Sequence, residues 1–331
     1  AALVARLERP CPPPHRGQPT RVQAMIWSLL RKRESQPLSA ALLGKLPCQA
    51  DFVREGFRGA ASDVLDAFLV QSTPFLHQSV GVQHLPRLLL CQCLPKQAQG
   101  LIGVCAPSCD AAGRDFPVVI ARAFDRAQWR PKLGEIFWSF NEFLSDADLL
   151  VDRLPDLTLS DVRGELTALS GDQVEPGQGS PPPAAAFDRT FGGDVAVQSY
   201  ALYAFASAFA AGQPGLTLDC PATDAALARL WLELASRVSE ATGTTTCTLY
   251  APLAGRLLIS VNGWTPSLLR ALGDPSFEGD QLWPLTTQLP EARDNARTAL
   301  QEAAPALTRP RGLSLSELCQ QLAQFSKTLR G

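Results

Sequence analysis

The residues able to do chemistry gather in two short stretches. In PSCDAAGRDFPV, residues 107–118, an acid, a glycine and a base precede an apolar exit. An aspartate such as Asp110 accepts hydrogen bonds from nearby backbone amides and turns the chain, and Gly113 takes dihedral angles costly for any residue with a side chain. Arg114 offers a planar, permanently charged fork, suited to holding Asp110, Asp115 or another carboxylate within the fold, or to meeting an acidic partner. In GKLPCQADFVREGF, residues 44–57, Lys45, Asp51 and Arg54 either organise the entrance to a following helix or stand on its exposed rim. Leu46, Phe52, Val53 and Phe57 are expected in the core. A mixed-sign patch of this kind recognises by geometry more than by net attraction.

Other chemistries find less support. Nucleophilic catalysis needs a serine, cysteine or threonine beside a base and an orienting group. The chain has no G-x-S-x-G elbow, and nothing in the spacing brings Cys105 or Cys109 to His77 or His84. Asp110, Asp115 and Asp125 are scattered carboxylates. GDPSFEGD, residues 273–280, lacks the donor spacing of a calcium loop and reads as a turn. Neither a Walker motif nor a dinucleotide fingerprint occurs. Cys105 and Cys109 are not followed by a second pair at zinc-site spacing, and His15, His77 and His84 form no ligand motif. The expectation is no catalytic residue, no cofactor and no metal. A hydrolase or transferase using an unrecognised cysteine or carboxylate centre stays open as the alternative, as does a structural subunit that bridges a complex.

The 331 residues are enough for two packed cores, and 46% hydrophobic with 19% charged residues fits a globular chain. A formal charge of −2 supplies no overall field for nucleic acid or anionic lipid. The longest apolar runs fall short of the ~20 residues that cross a bilayer, and the opening residues lack a secretion signal. The expected location is the cytoplasm, with no nucleic-acid partner and no integral membrane insertion. Nine cysteines, an odd number, then read as reduced thiols. Cys91 and Cys93 fall on one face of a strand, and Cys247 on another strand.

The elements that must position the two stretches follow from periodicity. A basic, proline-rich extension at 1–40 holds a short helix candidate around 22–30. A unit at 41–171 opens on the first stretch and continues with a helix whose Val64, Leu65, Phe68 and Leu69 share one face. Ser62 and Asp63 suit the amino end of that helix. Three strands are expected in RLLLCQC, GLIGVCAP and FPVVIARAF. A helix with an apolar stripe of Ile136, Phe137, Phe140, Phe143 and Leu144 comes next, then one around LSDVRGELTAL. A Pro/Gly-rich linker at 172–186 includes Pro181–Pro183, a weak polyproline signal. The unit at 187–331 holds helices through YALYAFASAFA and through Leu227, Leu230, Trp231, Leu234 and Val238. It adds two strands in TTCTLYAPLAGRLLISV, a helix in TPSLLRAL, and a terminal helix opened by a Ser314/Glu317 capping box. The predicted class is α/β, a helix-covered sheet domain followed by a second mixed α/β domain.

The two polar stretches together resemble the TagF/ImpM family of bacterial type VI secretion accessory proteins. The first carries Gly44, Lys45, Leu46 and Pro47, then Asp51, Phe52, Val53 and Arg54, with Ala50 where the family pattern has glycine. The second carries Pro107, Ser108, Asp110, Gly113, Arg114, Phe116 and Pro117. The resemblance covers residues 41–170; beyond it SVNGWTPSLLRALGDPSF is the best matching segment. It implies an α/β fold and post-translational repression of assembly of the contractile machine, through a forkhead-associated scaffold protein as partner. Lys45, Asp51, Arg54, Asp110, Gly113 and Arg114 are the candidate binding or motif residues.

Overall fold

In the computed structural model, residues 40–169, 185–274, 276–286 and 289–330 are described. The extension at 1–39, its helix candidate and the linker through residue 184 lie outside them. The centre of the fold is a nine-stranded sheet in the order β2-β1-β5-β4-β3-β7-β8-β6-β9. Its strands are β1 Ala41–Lys45, β2 Phe52–Glu55, β3 Leu88–Gln92, β4 Gln99–Ala106, β5 Val118–Asp125, β6 Thr217–Pro221, β7 Thr246–Ala251, β8 Arg256–Val261 and β9 Leu282–Pro284. All neighbours run antiparallel except β6 and β9. The segments 41–171 and 187–331 share this sheet, because β3 pairs with β7, Leu90 opposite Leu249.

Helices cover both faces, which is why the inner strands are buried almost throughout. One face carries α1 Ala60–His77. Short helical turns at 126–139 lead to α2 Asn141–Arg153, α3 Leu159–Ala168 and α4 Ala185–Thr190. The chain continues through α5 Val195–Ala211, α6 Ala225–Thr242, α7 Leu268–Gly273, α8 Pro290–Ala303 and α9 Leu315–Arg330. Leu65, Phe68, Leu69 and Leu76 of α1 join Leu268, Leu269 and Leu272 of α7 against Leu43, Leu90 and Val119 of the sheet. The opposite face is larger, built on Trp129, Phe143, Phe205, Phe209, Trp231 and Phe325. Cys91 and Cys93 both enter this larger core.

The structure departs from periodicity at three places. The aromatic stripe from Ile136 to Leu144 is buried, but it spans two helices, because the chain leaves helical geometry at Phe140 (φ −92°, ψ 15°) between them. Val64 does not enter the core: α1 buries positions 61, 62, 65, 68, 69, 72, 73 and 76, and residue 64 falls outside that arc. Phe52 is 38% exposed. Val53 is the core residue of β2, and strand alternation then turns Phe52 to the opposite face. Leu46 and Phe57 are buried as expected.

Candidate interaction site

The two polar stretches meet at Asp110. Its Oδ1 accepts from the backbone N–H of Ala112 at 3.0 Å and of Arg114 at 2.9 Å. Its Oδ2 accepts from Arg114 Nε at 2.7 Å and pairs with Lys45 Nζ at 3.0 Å. The carboxylate is wholly shielded from solvent. Burial by itself raises the carboxyl's pKa, but the hydrogen bonds from the Arg114 amide, Lys45, Arg114 and Ala112 outweigh it and hold the group well below the usual carboxylate range. The turn closes with Gly113 N–H donating to Asp110 O at 2.8 Å, and Gly113 has φ 76°. Sequence reasoning anticipated this local geometry; the structure adds Lys45 as the second cation.

Several contacts lock the loops together. Besides the Lys45–Asp110 pair, Ser108 Oγ donates to Lys45 O at 2.8 Å, Ala111 N–H donates to Gln49 O at 2.9 Å, and Arg114 Nη2 donates to Ala50 O. Gly44 is required by proximity: a Cβ there would lie 2.3 Å from Pro117 O and 2.8 Å from Val118 Cα. The glycine of the first stretch therefore serves the proline of the second. Ala50 has no positive φ and costs no backbone strain.

Arg54 stands apart from this node. It binds Asp63 at 2.6 Å and Asp66 at 3.1 Å, clamping β2 to the first two turns of α1, the helix-entrance role. Asp51 is exposed on the rim and makes no ion pair with the described residues. Around it the surface holds Arg114, whose side chain is 61% exposed, and an edge-to-face pair of Phe52 and Phe116 with ring centroids 5.2 Å apart. Gln83 Nε2 fixes Asp115 at 2.7 Å beside them. The aromatic pair was hidden from sequence reasoning, which sent Phe52 inward; alternation from Val53 is the signal that finds it. Lys45, Asp110, Gly113 and Arg114 thus form one rigid junction whose outer rim is Asp51, Phe52, Arg114 and Phe116. Such a surface suits contact with another protein.

The thiols sit in other surroundings. Burial pushes Cys105 up to about 12 and raises Cys220 and Cys247. A hydrogen bond with Cys93, then burial, raises Cys91. His77 and His84 are both exposed. A groove of about 550 Å³ between α6 and α9 is lined by Glu233, Arg237, Leu315 and Cys319, and burial raises the last to about 12. Among the described residues no group of three His, Cys, Asp or Glu is placed to hold a metal ion. Among them also, no helix is long and apolar enough to cross a membrane.

No curated protein matches the chain. The crystal structure of PA0076 from Pseudomonas aeruginosa PAO1 aligns at 19% identity over 41% of this chain and 65% of that one, with a TM-score of 0.36. This chain therefore spans just under two thirds of that protein's length. A sequence model matches residues 41–169, the region that contains both polar stretches, β1 to β5 and helices α1 to α3. Residues 41–169 match the TagF N-terminal domain, a type VI secretion system-associated domain.

Proposed function

We propose that the chain is a non-enzymatic, cytoplasmic regulator of a type VI secretion system that represses assembly by binding a forkhead-associated scaffold protein. The observation that carries this reading is the joining of two TagF-like stretches into one rigid junction within the matched domain. Asp110 spends its lone pairs inside the fold, so its role is to hold the loops in register. The contact falls to the rim of Asp51, Phe52, Arg114 and Phe116. Fixed loops present these side chains with little ordering cost on binding, which favours affinity.

The test measures binding of the full chain to the forkhead-associated component of its own secretion system. Asp51→Lys and Phe52→Ala change side chains at the surface, so each should weaken binding about tenfold or more, the loss of at least one well-packed contact. Melting temperatures should stay near that of the unaltered chain. Removing the protein from the native cell should increase assembly. Absence of binding to that component, together with unchanged assembly on removal, would overturn the reading. Binding with both variants unimpaired would move the contact elsewhere.

A further inference from the structure

We propose that the chain forms a reversible dimer through the outer face of α1, packed antiparallel against α1 of a second copy. The inner face of this helix is occupied by the sheet. Its outer face presents Asp63, Ala67, Val70, Pro74 and His77, flanked on one side by Val64, Gln71 and Phe75, all exposed, and on the other by the half-buried Asp66, which is paired with Arg54. The five run at alternating spacings of four and three residues, the spacing of a helix–helix seam. Val70 is 53% exposed, and Val64 and Phe75 are 38% exposed. From Ala67 through Leu76 the helix holds no charged residue. An outward helix face in water is ordinarily polar, and a contiguous apolar one marks a contact.

The ends of the stripe identify the occupant. Asp63 stands seven residues before Val70 and His77 seven residues after it. Both therefore lie about 10.5 Å along the helix axis from Val70. Two such helices crossing antiparallel about a two-fold axis at Val70 place Asp63 opposite the partner's His77, and symmetry makes the contact twice. Parallel pairing sets acid against acid. Asp63 gives one oxygen to Arg54 and remains largely exposed, so its carboxylate is available. The uncharged middle presents no repulsion to its own copy. Arg54, Asp66 and Asp63 form one ion-pair cluster toward the amino-terminal end, reaching to within a turn of Val70.

An 18-residue helix is about 27 Å long. Its outer face covers well under the ~800 Å² per partner of a standard interface. The association is accordingly weak and concentration-dependent. It is independent of the secretion reading: a dimer-deficient chain should still bind the scaffold.

Sedimentation velocity on the full chain over a wide concentration range provides the test. The unaltered chain should shift from monomer toward dimer, and Val70→Glu should remain monomeric at every concentration with an unchanged circular dichroism melt. His77→Glu places acid opposite acid and should weaken the dimer several-fold, whereas His77→Lys should preserve or tighten it. A monomer at every concentration overturns the proposal, the result also expected if a different segment or protein covers this face. Dimerisation of Val70→Glu at unaltered strength overturns it as well. Equal effects of the two His77 variants overturn the antiparallel arrangement.

Discussion

Asp110 is buried and ionised at once, a combination that four hydrogen bonds make possible. Folding favours its charged form, because its carboxyl titrates lower in the folded chain than the ordinary aspartate value near ~4. Its stabilising contribution is therefore fully present above that unfolded value and is lost as pH falls toward the folded one. Asp110→Asn keeps the shape but turns an amide toward Lys45 and Arg114, which are donors already. The variant should be less stable than the unaltered chain at pH 7 in urea titrations. The gap should narrow as the pH falls below about 4. A gap of constant size from pH 7 to pH 2 would show that the charge on Asp110 is not what holds the junction.

Between elements, two glycines of the junction meet different demands. Gly113 has φ 76° and open space around its missing Cβ, so only backbone conformation opposes a side chain. Gly44, at φ 136°, is also closed off by Pro117 O as β1 comes up against the entrance to β5. Gly113→Ala should cost about 1–2 kcal/mol. Gly44→Ala should cost at least twice as much, since backbone atoms cannot move aside as a flexible side chain can. Thermal unfolding of the two variants measures the difference, and equal losses would mean that the strand yields to the added methyl. Arg54 shows a second kind of inter-element demand: it ties β2 to α1 through Asp63 and Asp66, while taking no part in the Asp110 node.

At the scale of the whole molecule, the β3–β7 ladder makes one sheet from the strands of 41–171 and 187–331. Leu90 is buried on that seam, opposite Leu249 and Gly103. Leu90→Ala should lower stability by about 2–4 kcal/mol through lost burial and the cavity left behind. Because the sheet is continuous, the loss should reach both segments. Unfolding followed through buried Trp129 and through buried Trp231 should give coincident transitions that shift together. Separate transitions, with only one moved, would show that the segments unfold as independent domains.

Local chemistry was readable from residue types alone. A short polar side chain, a glycine and a planar cation within five positions dictate the Asp110 turn, and Ser314 with Glu317 dictates the start of α9, where each bonds the other's backbone amide. Central strands and amphipathic helices such as α6 were likewise evident, because their period records the burial that surrounds them. Long-range choices were not. No spacing in the sequence says that Lys45 reaches Asp110, that Gly44 faces Pro117, or that β3 pairs with β7. Each depends on the register of strands distant along the chain, set by the packing of both sheet faces together. The directions of Phe52 and Val64 were decided in the same way: apolar character favours burial, but only the neighbouring layer determines which side of a strand or helix is inside.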